Sequence, residues 1–137
     1  MTLPEGIDDV YVATADELTP FAVELRRALE YAGARAAKSA GEADAVVRVV
    51  QDRTGKRVLS VSARNVPQEY QVFYAVRYSI DRAGKEAVPL QELELTRSYS
   101  FSESDLLAKN REEDILREAM ARDLADLVLR RLGTLPP

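Results

Sequence analysis

The sequence predicts an α+β fold: a mostly antiparallel sheet of four to five strands with two amphipathic helices packed on one face. Three observations carry that expectation. Residues 69–80 hold a period of two, with Tyr70, Val72, Tyr74, Val76, Tyr78 and Ile80 on one side and Glu69, Gln71, Phe73, Ala75, Arg77 and Ser79 on the other. Helical periodicity appears near both ends of the chain, and the stretches between are short apolar or alternating runs separated by turn residues. At about 3.3 Å per residue the 69–80 strand spans roughly 40 Å, twice the ordinary length, so it should project past the body that anchors it.

Taken in order, residues 8–13 form a short candidate strand, and Thr19-Pro20 supplies an N-cap with proline at the first helical position. Phe21, Leu25, Ala28, Leu29 and Ala32 fall on one side of that helix, and Gly33 stands where a C-terminal glycine cap belongs. Residues 34–44 read as a loop. Residues 45–51 read as an interior strand with valines on both faces, Asp52-Arg53-Thr54-Gly55 as a turn, and residues 57–64 as an alternating strand.

A four-residue loop at Asn65-Val66-Pro67-Gln68 would set Arg64 opposite Glu69, Ala63 opposite Tyr70, Val61 opposite Val72 and Leu59 opposite Tyr74. A second hairpin turns at Ala83-Gly84 with Asp81 opposite Glu86. Pro89, and the phase change at Val88 and Leu90, predict a bulge or edge break before a strand that runs on towards Phe101. Residues 102–105 read as a break. The terminal helix is expected over Asn110–Leu132, with an Asn110/Glu113 capping box, and Ile115, Leu116, Ala119, Met120, Leu124, Leu127 and Val128 as its stripe. The outer sheet face then carries Val58, Ser60, Ser62, Arg64, Gln71, Phe73, Ala75, Arg77, Ser79, Glu92 and Glu94.

A length of 137 residues suits one domain over 1–137, large enough to bury a core without metal or disulfide. The 46% hydrophobic and 31% charged content is that of a globular chain, and the mean hydropathy of -0.26 agrees. The net charge is -4, and the 19 basic residues are dispersed, which argues against a nucleic-acid partner. No apolar run is long enough to span a bilayer. The chain has neither His nor Cys, so zinc sites of the usual ligands and imidazole- or thiolate-based catalysis are excluded.

Glu103, Asp105, Glu112, Glu113 and Asp114 gather carboxylates, but without the spacing or turn glycine of a calcium loop, so no metal site is expected. Ser102 or Ser104 beside Lys109 lacks the strand–turn–helix elbow of a Ser nucleophile, so neither catalysis nor a cofactor is expected. Two cations draw attention by position: Arg64 at the end of a long hairpin and Lys109 beside the terminal helix. Such groups suit phosphate or anionic lipid heads, whereas Arg64 pairing with Glu69 and a solvated Lys109 would be the ordinary alternative.

The stretch Leu59-Ser60-Val61-Ser62-Ala63-Arg64-Asn65 leading to Glu69-Tyr70-Gln71, then Thr96-Arg97-Ser98-Tyr99-Ser100, Leu107-Ala108-Lys109-Asn110 and Glu112-Glu113, resembles the lipopolysaccharide-assembly lipoprotein LptE family. The opening Leu3-Pro4, and Leu25-Arg26-Arg27-Ala28-Leu29 with Gly33, extend that resemblance over nearly the whole chain. It implies a non-enzymatic protein on the periplasmic side of the Gram-negative outer membrane that plugs the LptD barrel and binds lipopolysaccharide. The basic residues associated with lipopolysaccharide in the family match Arg64 and Lys109, while Phe73, Ala75 and Arg77 become candidate contacts with the barrel. Family members begin with a signal peptide and a lipidated Cys. This sequence opens at Met1 without Cys, so the expectation is a truncated form whose membrane anchor lies outside it. Where the family's turn commonly holds glycine, this one reads Asn65-Val66-Pro67-Gln68. The alternative is a free-standing α+β binding module acting as a homodimer.

Overall fold

The computed structural model of the chain describes residues 3–100 and 106–137, with the backbone alone for 106–109. The elements follow the order β1 (Asp9–Ala13), α1 (Pro20–Tyr31), β2 (Arg35–Ala36), a 3₁₀ turn (Ala40–Glu42), β3 (Ala45–Val61), β4 (Pro67–Arg82), β5 (Lys85–Ser100) and α2 (Leu106–Gly133). They form one mixed sheet in the order β2-β1-β3-β4-β5, with β1 parallel to β2 and β3, and β3, β4 and β5 antiparallel. The α+β expectation holds, with two α-helices and five strands among the described residues.

Helix α1 starts as its sequence dictates. Thr19 caps it by accepting from the Ala22 N–H, Pro20 follows, and Gly33 just past the end takes the left-handed conformation at φ 97°. Phe21, Ala22, Leu25 and Leu29 are buried. The inward face of β4 is the predicted one: Tyr70, Val72, Tyr74, Val76, Tyr78 and Ile80 are all buried, and they pack with Val47, Phe21, Leu25, Met120, Leu124 and Val128 in one core. Tyr74 ties the sheet to α1, since its hydroxyl accepts from the Phe21 N–H at 3.0 Å and donates to Asp52 at 2.8 Å.

Three expectations are corrected. The turn at Asp52-Arg53-Thr54-Gly55 does not exist, because those residues run through the middle of a single 17-residue strand, β3. Each turn-former has a task inside the sheet: Asp52 accepts from Thr19 and Tyr74, Thr54 donates to the Phe73 carbonyl, and Gly55 lies opposite Phe73. The first hairpin is also paired differently, with Val58 opposite Tyr70, Lys56 opposite Val72, Thr54 opposite Tyr74 and Ser60 opposite Glu69. The connection is residues 62–66, closed by Ser62 N–H to the Val66 carbonyl at 2.7 Å, and β3 bulges between Val58 and Ser60. This odd shift moves Val58 from the outer face to the side of Tyr70, and Arg64 does not face Glu69.

The third correction concerns α2. It begins at Leu106, so Asn110 and Glu113 are no capping box, and Ile115 and Leu127 stand exposed while Ala121, Ala125, Leu129 and Leu132 are buried instead. The loop predicted over 34–44 contains the two-residue β2 and the 3₁₀ turn. The second hairpin is as expected, with Asp81 opposite Glu86 and register shifts between Tyr78 and Asp81 that return Val88 to the core. The extension to Phe101 and the break at 102–105 lie outside the described residues.

Candidate functional site

The long β3–β4 hairpin outruns its cover. The first residues of β3 are buried, but beyond Val49 none is, and Val58, Leu59 and Val61 are 51%, 48% and 50% exposed. Arg64 stands exposed at the tip, and among the described residues its guanidinium has no ion-pair partner. The tip is nonetheless ordered by its own bonds. Ser62 Oγ accepts from the N–H groups of Arg64 and Val66 at 3.2 Å each, and Asn65 adopts the left-handed conformation at φ 65°. Asn tolerates that region better than other side-chain-bearing residues, so it fills a place where glycine is commonly found. The tip therefore combines exposed aliphatic side chains in the end of β3 with a cation in the turn that has no ion pair among the described residues.

Lys109 lies in the first turn of α2, where the side chains are outside the described residues; Ser102, Glu103, Ser104 and Asp105 lie outside them altogether. The other proposed contacts fall on the sheet face away from the helices. Phe73 is partly exposed, Arg77 is exposed, and Ala75 is already buried, flanked in register by Arg53 and Glu94. Around Phe73 the structure brings in Arg53, which the misplaced turn concealed, and Arg57, which was expected to open the next strand. The guanidinium carbons of Arg53 and Arg57 lie 5.3 and 4.1 Å from the ring centroid, and Arg57 also bonds Gln71 and Glu94. The alternation Gln51, Arg53, Gly55, Arg57 was the available signal for a continuous strand.

Beneath the start of α2 lies Glu113, the one buried charged side chain among the described residues. Tyr99 donates to it, Lys56 Nζ is 3.3 Å away and Arg117 3.7 Å. Tyr99 stacks on Tyr70 with centroids 5.6 Å apart, and Lys56 sits 5.0 Å from the Tyr70 ring centroid. Burial pushes the Glu113 carboxyl up, but Tyr99, Lys56 and Arg117 together outweigh it and hold the group below the ordinary carboxylate range. Burial and the same carboxylate push the Tyr99 phenol up. An ionised acid and a protonated phenol already bonded to each other have no proton to exchange at neutral pH, so this cluster is a cross-link between hairpin and helix.

A cavity of about 290 Å³ lies between α1 and the β1–β2 edge, lined by Val10, Val12, Leu29 and Ala34 with charged residues around them. Two of its cations are already paired, Arg26 with Glu17 at 3.3 Å and Arg35 with Asp9 at 2.7 Å. Among the described residues no cluster of potential metal ligands occurs, and no helix is long and apolar enough to cross a membrane.

A three-stranded antiparallel ribbon that extends past a two-helix cover, with exposed cations at its tip and on its open face, has the make-up of a binding module. The lipopolysaccharide-assembly family model LptE matches residues 7–132, and the chain belongs to that family. Its role therefore lies in lipopolysaccharide assembly, within a family of non-enzymatic, outer-membrane-associated lipoproteins. Among solved structures it is similar to the uncharacterized lipoprotein B of Nitrosomonas europaea, at 29% identity and a TM-score of 0.82 over 96% of this chain and 84% of that one. The rare lipoprotein B of Shewanella oneidensis matches at 24% identity and 0.79 over 93% and 95%. A minor lipoprotein of Acinetobacter baumannii matches at 18% and 0.74 over 95% of each chain. The last two likenesses concern the fold alone. No curated protein sequence matches.

Proposed function

We propose that this chain is the plug subunit of the LptD barrel and that it binds lipopolysaccharide at the β3–β4 tip, through Arg64 and with Lys109 as a second cation. The observation that carries the reading is the tip itself: an exposed guanidinium with no ion pair among the described residues, in the turn that follows the exposed Val58, Leu59 and Val61, at the end of a ribbon that outruns the core. A lipopolysaccharide molecule offers phosphates beside acyl chains, and Arg is suited to the first while exposed aliphatic groups suit the second. Membrane attachment through an N-terminal lipid, on the periplasmic side of the outer membrane, belongs to the same proposal.

Arg64→Asp and Lys109→Asp are each expected to weaken lipopolysaccharide binding, with stability changed by less than about 1 kcal/mol for the exposed Arg64. Binding to immobilised lipopolysaccharide, with thermal unfolding in parallel, checks both. Unchanged binding in the two variants would remove the site.

A further inference from the structure

We propose that the helix-free face of the sheet, centred on Arg53, Phe73 and Arg77, docks onto a carboxylate-bearing protein wall. This rests on the plug reading and specifies the chemistry of the barrel surface that meets the chain. The sheet buries its other face under α1 and α2 and leaves this one open. A merely solvated face needs no cleared floor for an aromatic ring, yet this one has it: a Cβ at Gly55 would stand 2.9 Å from Cε1 and Cζ of Phe73. The ring therefore lies against the strand at a glycine and is flanked by Arg53 and Arg57.

The two arginines differ in what they have left to offer. Arg57 is engaged by Gln71 and by Glu94 at 3.1 Å, whereas among the described residues Arg53 and Arg77 have no ion pair, although Arg77 lies opposite Glu92 in register, and both arginines are exposed. Arg53 lies opposite Ala75, so Arg53 and Arg77 occupy neighbouring strands two residues apart, with Cα atoms about 8 Å from each other. Carboxylates at alternate positions of one facing strand are about 6.6 Å apart, a spacing two planar guanidinium forks can meet bidentately. Stacked arginine and a partly exposed aromatic are the residues that anchor protein interfaces.

The full chain is tested by co-purification with the barrel subunit, comparing wild type, Arg53→Glu with Arg77→Glu, and Arg130→Glu with Arg131→Glu at the far end of α2 as a charge-matched control. The first double variant is expected to lower barrel recovery about tenfold, while the control keeps wild-type recovery and circular dichroism shows both folded. If the reversal unfolds the protein, Arg53→Gln with Arg77→Gln replaces it and is expected to lower recovery in the same direction. Wild-type recovery by the outer-face variants overturns the proposal and leaves the plug reading standing, as does equal loss in the control, which would mark a general charge effect. No barrel captured by wild type overturns both. A wild-type dimer abolished by the same reversal assigns the face to a second copy and also overturns it.

Discussion

Glu113 and Tyr74 are two residues whose side chains join separate parts of the fold. With its carboxyl held below the ordinary range, Glu113 contributes stability that is present above its unfolded value and is lost as pH falls through the folded one. Glu113→Gln should therefore flatten the loss of stability on acidification below about pH 4.5, while Glu113→Ala costs roughly 2–3 kcal/mol at neutral pH by leaving Lys56 and Tyr99 without their acceptor. Urea unfolding at a series of pH values measures both. Tyr74→Phe removes the acceptor of the Phe21 N–H and a donor to Asp52, and is expected to cost about 1–3 kcal/mol in the same measurement. The burial of Tyr74 was legible from its phase in β4. The role of Glu113 was not, because a carboxylate among Glu112 and Asp114 reads as helix-terminal charge until the helix is seen to start at Leu106.

The elements were legible wherever period alone sets them. Thr19-Pro20 and Gly33 bounded α1, and the alternation of 69–80 set the inner face of β4. Register in the first hairpin was not legible, since it depends on a bulge at Val58 and on a left-handed Asn65, neither of which has a periodic signature. Val58, Leu59 and Val61, at and just beyond this bulge, stand about half exposed. Replacing these three by Ser should weaken lipopolysaccharide binding while shifting stability by less than about 1 kcal/mol, because none lies in the core. Unchanged binding, or a collapse of the fold, would contradict this account of the tip. Thr19→Ala is expected to cost about 1 kcal/mol through loss of the α1 cap, read from thermal unfolding.

At the scale of the molecule, the work is divided among surfaces. The helix-covered face supplies the core, the hairpin tip presents Arg64 beyond the exposed Val58, Leu59 and Val61, and the open face presents Phe73 between Arg53 and Arg57. A net charge of -4 spread over the chain concealed the local arginine cluster, since composition carries no information about which residues strand pairing brings together. The most direct measurement is capture of the barrel subunit from the same genome by the full chain, under conditions in which other members of the family capture theirs. The account predicts a stable one-to-one complex, and recovery of no barrel would contradict it.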